Sequence, residues 1–184
     1  ICGYALAAPI IFTYVGESGE YAVAGYGAGT RIEQVVLLPI LGINTAIISI
    51  ISQNFGARNF DRIKETYFTA IKYAFIIMIT SGIIVFILAG IITSIFSSDP
   101  EVIEYGRRYL KISAFVLPAY PVFFLSNGFF MALKKSENAM ISNFFRNVLN
   151  PIVVFYIAKY ISASFETFFW IWVGINWFFS ISYF

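Results

Sequence analysis

The stretch YGAGTRIEQVVLLPILGINTAIISIISQNFGARNFDRIKETYFTAIK, residues 26–72, decides the fold. Its apolar part runs without a break for longer than one bilayer crossing, ends at Gly56, and is followed by a short basic loop, ARNFDRIK at 57–64, before a second apolar run begins. A hydrocarbon core of ~30 Å needs roughly 20 apolar residues per helix, so this is the outline of two membrane-spanning helices joined by a tight turn. Pro39 falls inside the first and removes one backbone bond, which predicts a bend. Gly56 is the expected helix stop, because glycine accepts the left-handed conformation.

Working outward, the same pattern repeats. The expected spans are 1–15, 22–55, 69–96, 112–133, 139–161 and 168–184. The chain therefore reads as an all-α membrane protein, a bundle of six transmembrane helices. Hydrophobic residues make up 59% of its 184 residues and charged ones 12%, about half the charge of an ordinary soluble domain. Both ends fall inside apolar runs, so the sequence is expected to be a piece truncated at both ends. Between the third and fourth spans, SSDPEVIEYGRRYLKIS at 97–113 offers Ser98 with Glu101 three residues on and Pro100 in the first turn. That spacing predicts a capping box opening a short surface helix.

Composition removes several function classes. The net charge is +2, with no bulk attraction to nucleic acid, and there is no histidine. Cys2 is the single cysteine, so a cysteine metal cluster and an intrachain disulfide are excluded. No metal site, no cofactor and no enzymatic activity are expected. Gly25, Gly27 and Gly29 do not form a dinucleotide fingerprint, since the next required position is Thr30. Gly25 and Gly29 are instead expected to let two helices approach closely.

Sidedness follows from Lys and Arg in the short loops. The loops after the second and fourth spans hold Arg58, Arg62, Lys64, Lys72, Lys134 and Lys135; the opposite side holds Arg107, Arg108, Lys111 and Lys159. The first set marks the cytoplasmic face.

Polar groups inside the spans are the functional candidates. Glu33 lies about 35 Å from Gly56 along the helix, and with Arg31 is expected near the outer interface. It has two readings, an interfacial role and a part in ion handling or outer gating. Arg146 is about 12 Å deep and needs a partner, either an acid from another lobe or carbonyls freed at a kink. It is read as a clamp or as a cavity residue. Asn44, Asn147 and Asn150 reach toward the midplane, to bind substrate or to hold helices together. Tyr120 is flanked by Pro118 and Pro121. Pro39 and these two prolines are the expected bending points. The aromatic residues, 20% of the chain, offer ring faces to flat cations.

Residues 26–72 resemble the eighth helix and following cytoplasmic loop of the multidrug and toxic compound extrusion family, through Arg31, Pro39 with Gly42, Ala46 and Gly56-Ala57-Arg58. Residues 95–113 are similar to that family's linker before its tenth helix. The resemblance implies one C-terminal lobe of a twelve-helix, pseudo-symmetric, multi-pass transporter of the cell (plasma or inner) membrane. It further implies antiport of drugs or organic cations against H⁺ or Na⁺, with the bilayer, a cationic small molecule and an N-terminal lobe as partners. Some branches of the family carry acids in the seventh and tenth helices; 1–15 and 112–133 here contain none, which shifts the expected coupling acid to the other lobe. The alternatives are a lipid-linked saccharide flippase of the same superfamily, and a non-transporting membrane scaffold or channel.

Overall fold

The computed structural model describes residues 2–182. Residues 1, 183 and 184, at the outer limits of the first and last expected spans, lie outside it. The described residues are helical throughout, joined by short turns: α1 (Cys2–Gly16), α2 (Glu20–Gly56), α3 (Phe60–Ser94), α4 (Pro100–Ser113), α5 (Tyr120–Ala132), α6 (Ser136–Phe144), α7 (Asn150–Tyr160) and α8 (Phe165–Ser182). A 3₁₀ turn, Leu117–Ala119, joins α4 to α5, and a π turn, Phe145–Leu149, joins α6 to α7. Counted as continuous columns, these make six.

Three runs are each long and apolar enough to cross a membrane alone: Glu20–Gly56, Phe60–Ser94 and Pro100–Ala132. The outer faces of α2 and α3 expose large apolar side chains, among them Val35, Leu38, Ile83, Ile87 and Ile91. Water would not tolerate such a continuous face; lipid is its natural solvent. The interior holds polar groups instead, including Thr93, Ser126, Asn127 and Asn150. The chain is a multi-pass membrane protein.

The helix starts and stops differ in detail from the sequence reading. The N-cap of α4 is Asp99, whose carboxylate accepts from the Glu101 backbone N–H at 2.9 Å. Ser98 is not the cap, because Pro100 occupies the first helical position and leaves Asp99 directly before it. Gly56 does not supply the left-handed stop; Arg58 does, at φ 57. There the Asn59 N–H bonds to the Asn54 carbonyl and the Arg58 N–H to that of Phe55, a Schellman closure. Lys134 (φ 59) and Ser162 (φ 49) close α5 and α7 in the same way. Arg58 and Lys134 place positive charge at helix C-termini, where the dipole favours it, and this offsets the strain. Ser162 carries no charge of its own, the positive charge at that helix end being Lys159. Ser162→Gly should therefore stabilise the fold by about 1 kcal/mol, read as a rise of a few degrees in the melting temperature in detergent.

The helix α4 is not a surface helix. Its buried face, including Val102, Gly106, Tyr109 and Leu110, packs on α2 and α3. Contact is close because Gly25 lies against Gly106: a Cβ on Gly25 would sit 2.7 Å from the Gly106 nitrogen and 2.8 Å from the Val102 carbonyl. Gly29 lies under the Tyr109 ring. Tyr109 is thereby carried inward rather than left at the interface.

Candidate functional site

The site is built around a carboxylate. Glu33, half-buried on α2, accepts hydrogen bonds from two tyrosine hydroxyls, Tyr109 Oη to Oε2 and Tyr120 Oη to Oε1. Both tyrosines are buried. The Tyr109 ring stands on Gly29 and meets Tyr26 and Phe169 edge-on at 5.0 and 4.9 Å, so its hydroxyl is aimed before any ligand arrives. Tyr120 opens α5 just after the 3₁₀ turn; Pro118 lies within that turn and Pro121 in the first turn of α5. The two prolines set the break that turns Tyr120 toward α2.

Neutral hydroxyls satisfy a carboxylate without cancelling its charge. A lysine or arginine in their place would leave a spent ion pair. Two tyrosines leave a carboxyl group in the cavity wall with the chemistry to receive a proton, an alkali ion or an organic cation.

A positive group stands nearby but is held differently. Arg146 lies in the π turn Phe145–Leu149. Its guanidinium carbon is 3.9 Å from the ring centroid of Phe123, 4.7 Å from Tyr120 and 5.4 Å from Phe124. These rings sit at i, i+3 and i+4 of one helix, hence on one face. None of the described ion pairs involves Arg146. Within this lobe its neighbours are aromatic faces. Tyr120 is the shared member: its hydroxyl serves Glu33 and its ring serves Arg146.

Glu33, Tyr109, Tyr120, Arg146 and Asn147 line one cavity of about 110 Å³, together with Thr30, Gln34, Tyr26, Phe169 and Trp172. A string of amides leads away from it. Asn147 donates to Asn143 at 3.4 Å, Asn143 to Asn127 at 3.0 Å, and Asn127 to the Phe123 carbonyl at 2.8 Å. The string ties the π turn to the helix that carries the three rings.

Of the residues singled out in the sequence, Glu33, Tyr120, Arg146 and Asn147 converge on this cavity. Asn44 does not line it; its Oδ1 is pressed on Gly128 of α5 and has no hydrogen-bond partner among the described residues. Asn150 is fully buried beyond the π turn, with both amide atoms unpartnered among the described residues. Arg31 and Pro39 are exposed, and α2 runs unbroken through Pro39.

Glu33 faces the cavity. Sequence reasoning missed Tyr109, Thr30 and Gln34. Tyr109 was readable from the i, i+3, i+4, i+7 spacing of Val102, Tyr105, Gly106 and Tyr109, which marks a packed face.

Outside the cavity, the water-facing end of α4 carries a charge cluster. Glu104 accepts from Arg107 and Arg108 at 2.8–3.0 Å, and Arg108 reaches Glu166 at 3.3 Å.

Comparison with known proteins agrees with this architecture. The MatE family model matches residues 2–157. A probable multidrug resistance protein, YpnP of Bacillus subtilis (strain 168), is 30% identical over 164 residues, covering 89% of this chain and 34% of that protein. An FAD transporter of Shewanella oneidensis is 28% identical over 107 residues, covering 58% of this chain and 24% of its own length. Among solved structures, a MOP superfamily transporter from Pyrococcus furiosus superposes with a TM-score of 0.93 at 21% identity, over 99% of this chain and 41% of that one. The chain thus spans about a third of the length of the Bacillus relative. This chain belongs to the MatE family.

Proposed function

We propose that the chain is the C-terminal lobe of a secondary transporter of the cell membrane that exports small organic molecules, organic cations among them, in exchange for H⁺ or Na⁺, and that it catalyses no covalent reaction. The observation that carries this reading is the Glu33 carboxylate held by two neutral hydroxyls in a cavity wall. One carboxylate that receives either a coupling cation or a cationic substrate, but not both together, is the minimum chemistry of exchange.

In this reading the lobe supplies half of a binding cavity and rocks against a second lobe. The 3₁₀ turn at Leu117–Ala119, which carries Pro118, is a bending point in this reading. The reading is tested with the whole protein in proteoliposomes, following efflux of a cationic dye under imposed H⁺ and Na⁺ gradients applied separately. Uphill dye movement driven by one of them is expected. Dye movement indifferent to both gradients would remove the antiport reading.

A further inference from the structure

Arg146 occupies a surface of the kind used to bind organic cations. Three ring faces converging on one positive group form an aromatic cage, the arrangement that recognises quaternary ammonium and related ligands. The cage is built from Tyr120, Phe123 and Phe124, and its occupant is a guanidinium from the same chain. Building on the cavity assigned above, we infer that Arg146 is a tethered competitor: it fills the cage when no substrate is present, and an organic cation must displace it to bind.

The local structure supplies a route for displacement. Arg146 sits in a π turn, which carries one residue more per turn than its flanking helices and is a common mark of functional sites. Conversion of this turn to α-helix shifts the register by one residue, a rotation of about 100°, and takes Arg146 off the rings. Asn150, immediately after the π turn, is fully buried with neither amide atom partnered among the described residues. A buried amide in that condition raises the free energy of the arrangement that contains it, which narrows the gap to an alternative arrangement. Glu33 lies across the same cavity and gives the displaced guanidinium, or the arriving cation, a counter-charge.

Occupancy of the cage by Arg146 lowers substrate affinity by the fraction of time the cage is free. A cage filled nine-tenths of the time weakens binding about tenfold.

The test is equilibrium binding of tetraphenylphosphonium to the purified whole protein. Arg146→Ala is expected to bind it roughly tenfold more tightly than wild type, and Arg146→Gln to behave the same way. Adding Phe123→Leu to Arg146→Ala should remove that gain. Millimolar guanidinium ion should compete with tetraphenylphosphonium in Arg146→Ala, by refilling the cage, and leave the wild type unchanged. Unchanged or weaker binding in both Arg146 variants, while Glu33→Gln still weakens binding, overturns the tethered-competitor inference and leaves the cavity assignment standing. Wild-type binding in the Arg146 variants and in Glu33→Gln alike overturns both.

Discussion

Glu33→Gln is expected to reduce gradient-driven efflux roughly 100-fold, toward the upper end of typical coupling between two sites, while the protein folds and inserts normally. The substitution keeps size and shape. The amide oxygen still accepts from one tyrosine, and the other tyrosine accepts from the amide N–H₂, since a phenol can do either. What is lost is the negative charge, and with it the ability to bind a proton or an alkali ion. Without that exchangeable cation the substrate has nothing to move against, so downhill equilibration of dye persists and uphill transport stops. Tyr109→Phe and Tyr120→Phe should each fall between wild type and Glu33→Gln, because each removes one of the two hydrogen bonds that hold the carboxylate. The comparison is made on initial rates in proteoliposomes at matched protein content. Wild-type uphill rates in Glu33→Gln would place the coupling acid elsewhere.

The second large effect concerns folding. Gly25→Ala should destabilise the lobe by about 1–3 kcal/mol, and Gly25→Leu should leave little folded protein. The added Cβ meets Gly106 N at 2.7 Å, and Tyr105 Cβ and Val102 O at 2.8 Å. Most of these atoms are backbone, so relief requires separating α2 from α4. Such a separation also lifts Tyr109 away from Glu33, so transport should fall with stability. Gly27, two residues on, is the internal control. Nothing lies within 4 Å of a Cβ there, and Gly27→Ala should be neutral or stabilising by up to about 1 kcal/mol through helix propensity. Thermal melts of the two alanine variants in the same detergent give the comparison; equal melting temperatures would contradict the packing described.

Much of the architecture was legible because the bilayer imposes a length on apolar runs and charge on the loops between them. Residues 26–72 announced two spans and a hairpin, and α2 and α3 meet there at Arg58 and Asn59. The glycines at 25 and 29 pointed to close packing without naming the partner, which is α4. The site was less legible. The pairing of Glu33 with Tyr109 and Tyr120 depends on how three helices are set against one another, which no single run of sequence reports. Tyr109 was obscured because a helix with five charged side chains (Glu101, Glu104, Arg107, Arg108 and Lys111) reads as a surface element, although its other face is buried. Arg146 was recognisable as an arginine needing company. Its company, rings at 120, 123 and 124, depends on a π turn whose register no apolar period reports.

The central claim is that one carboxylate in this lobe, Glu33, exchanges a coupling cation for substrate. Its most direct test is the count of cations released when tetraphenylphosphonium binds to the purified whole protein, with protons followed by a pH indicator in weak buffer and Na⁺ by an ion-selective electrode. The wild type should release about one H⁺ or one Na⁺ per bound cation, as expected when two ligands compete for one charge, and Glu33→Gln should release none. Equal release from wild type and Glu33→Gln would contradict the account.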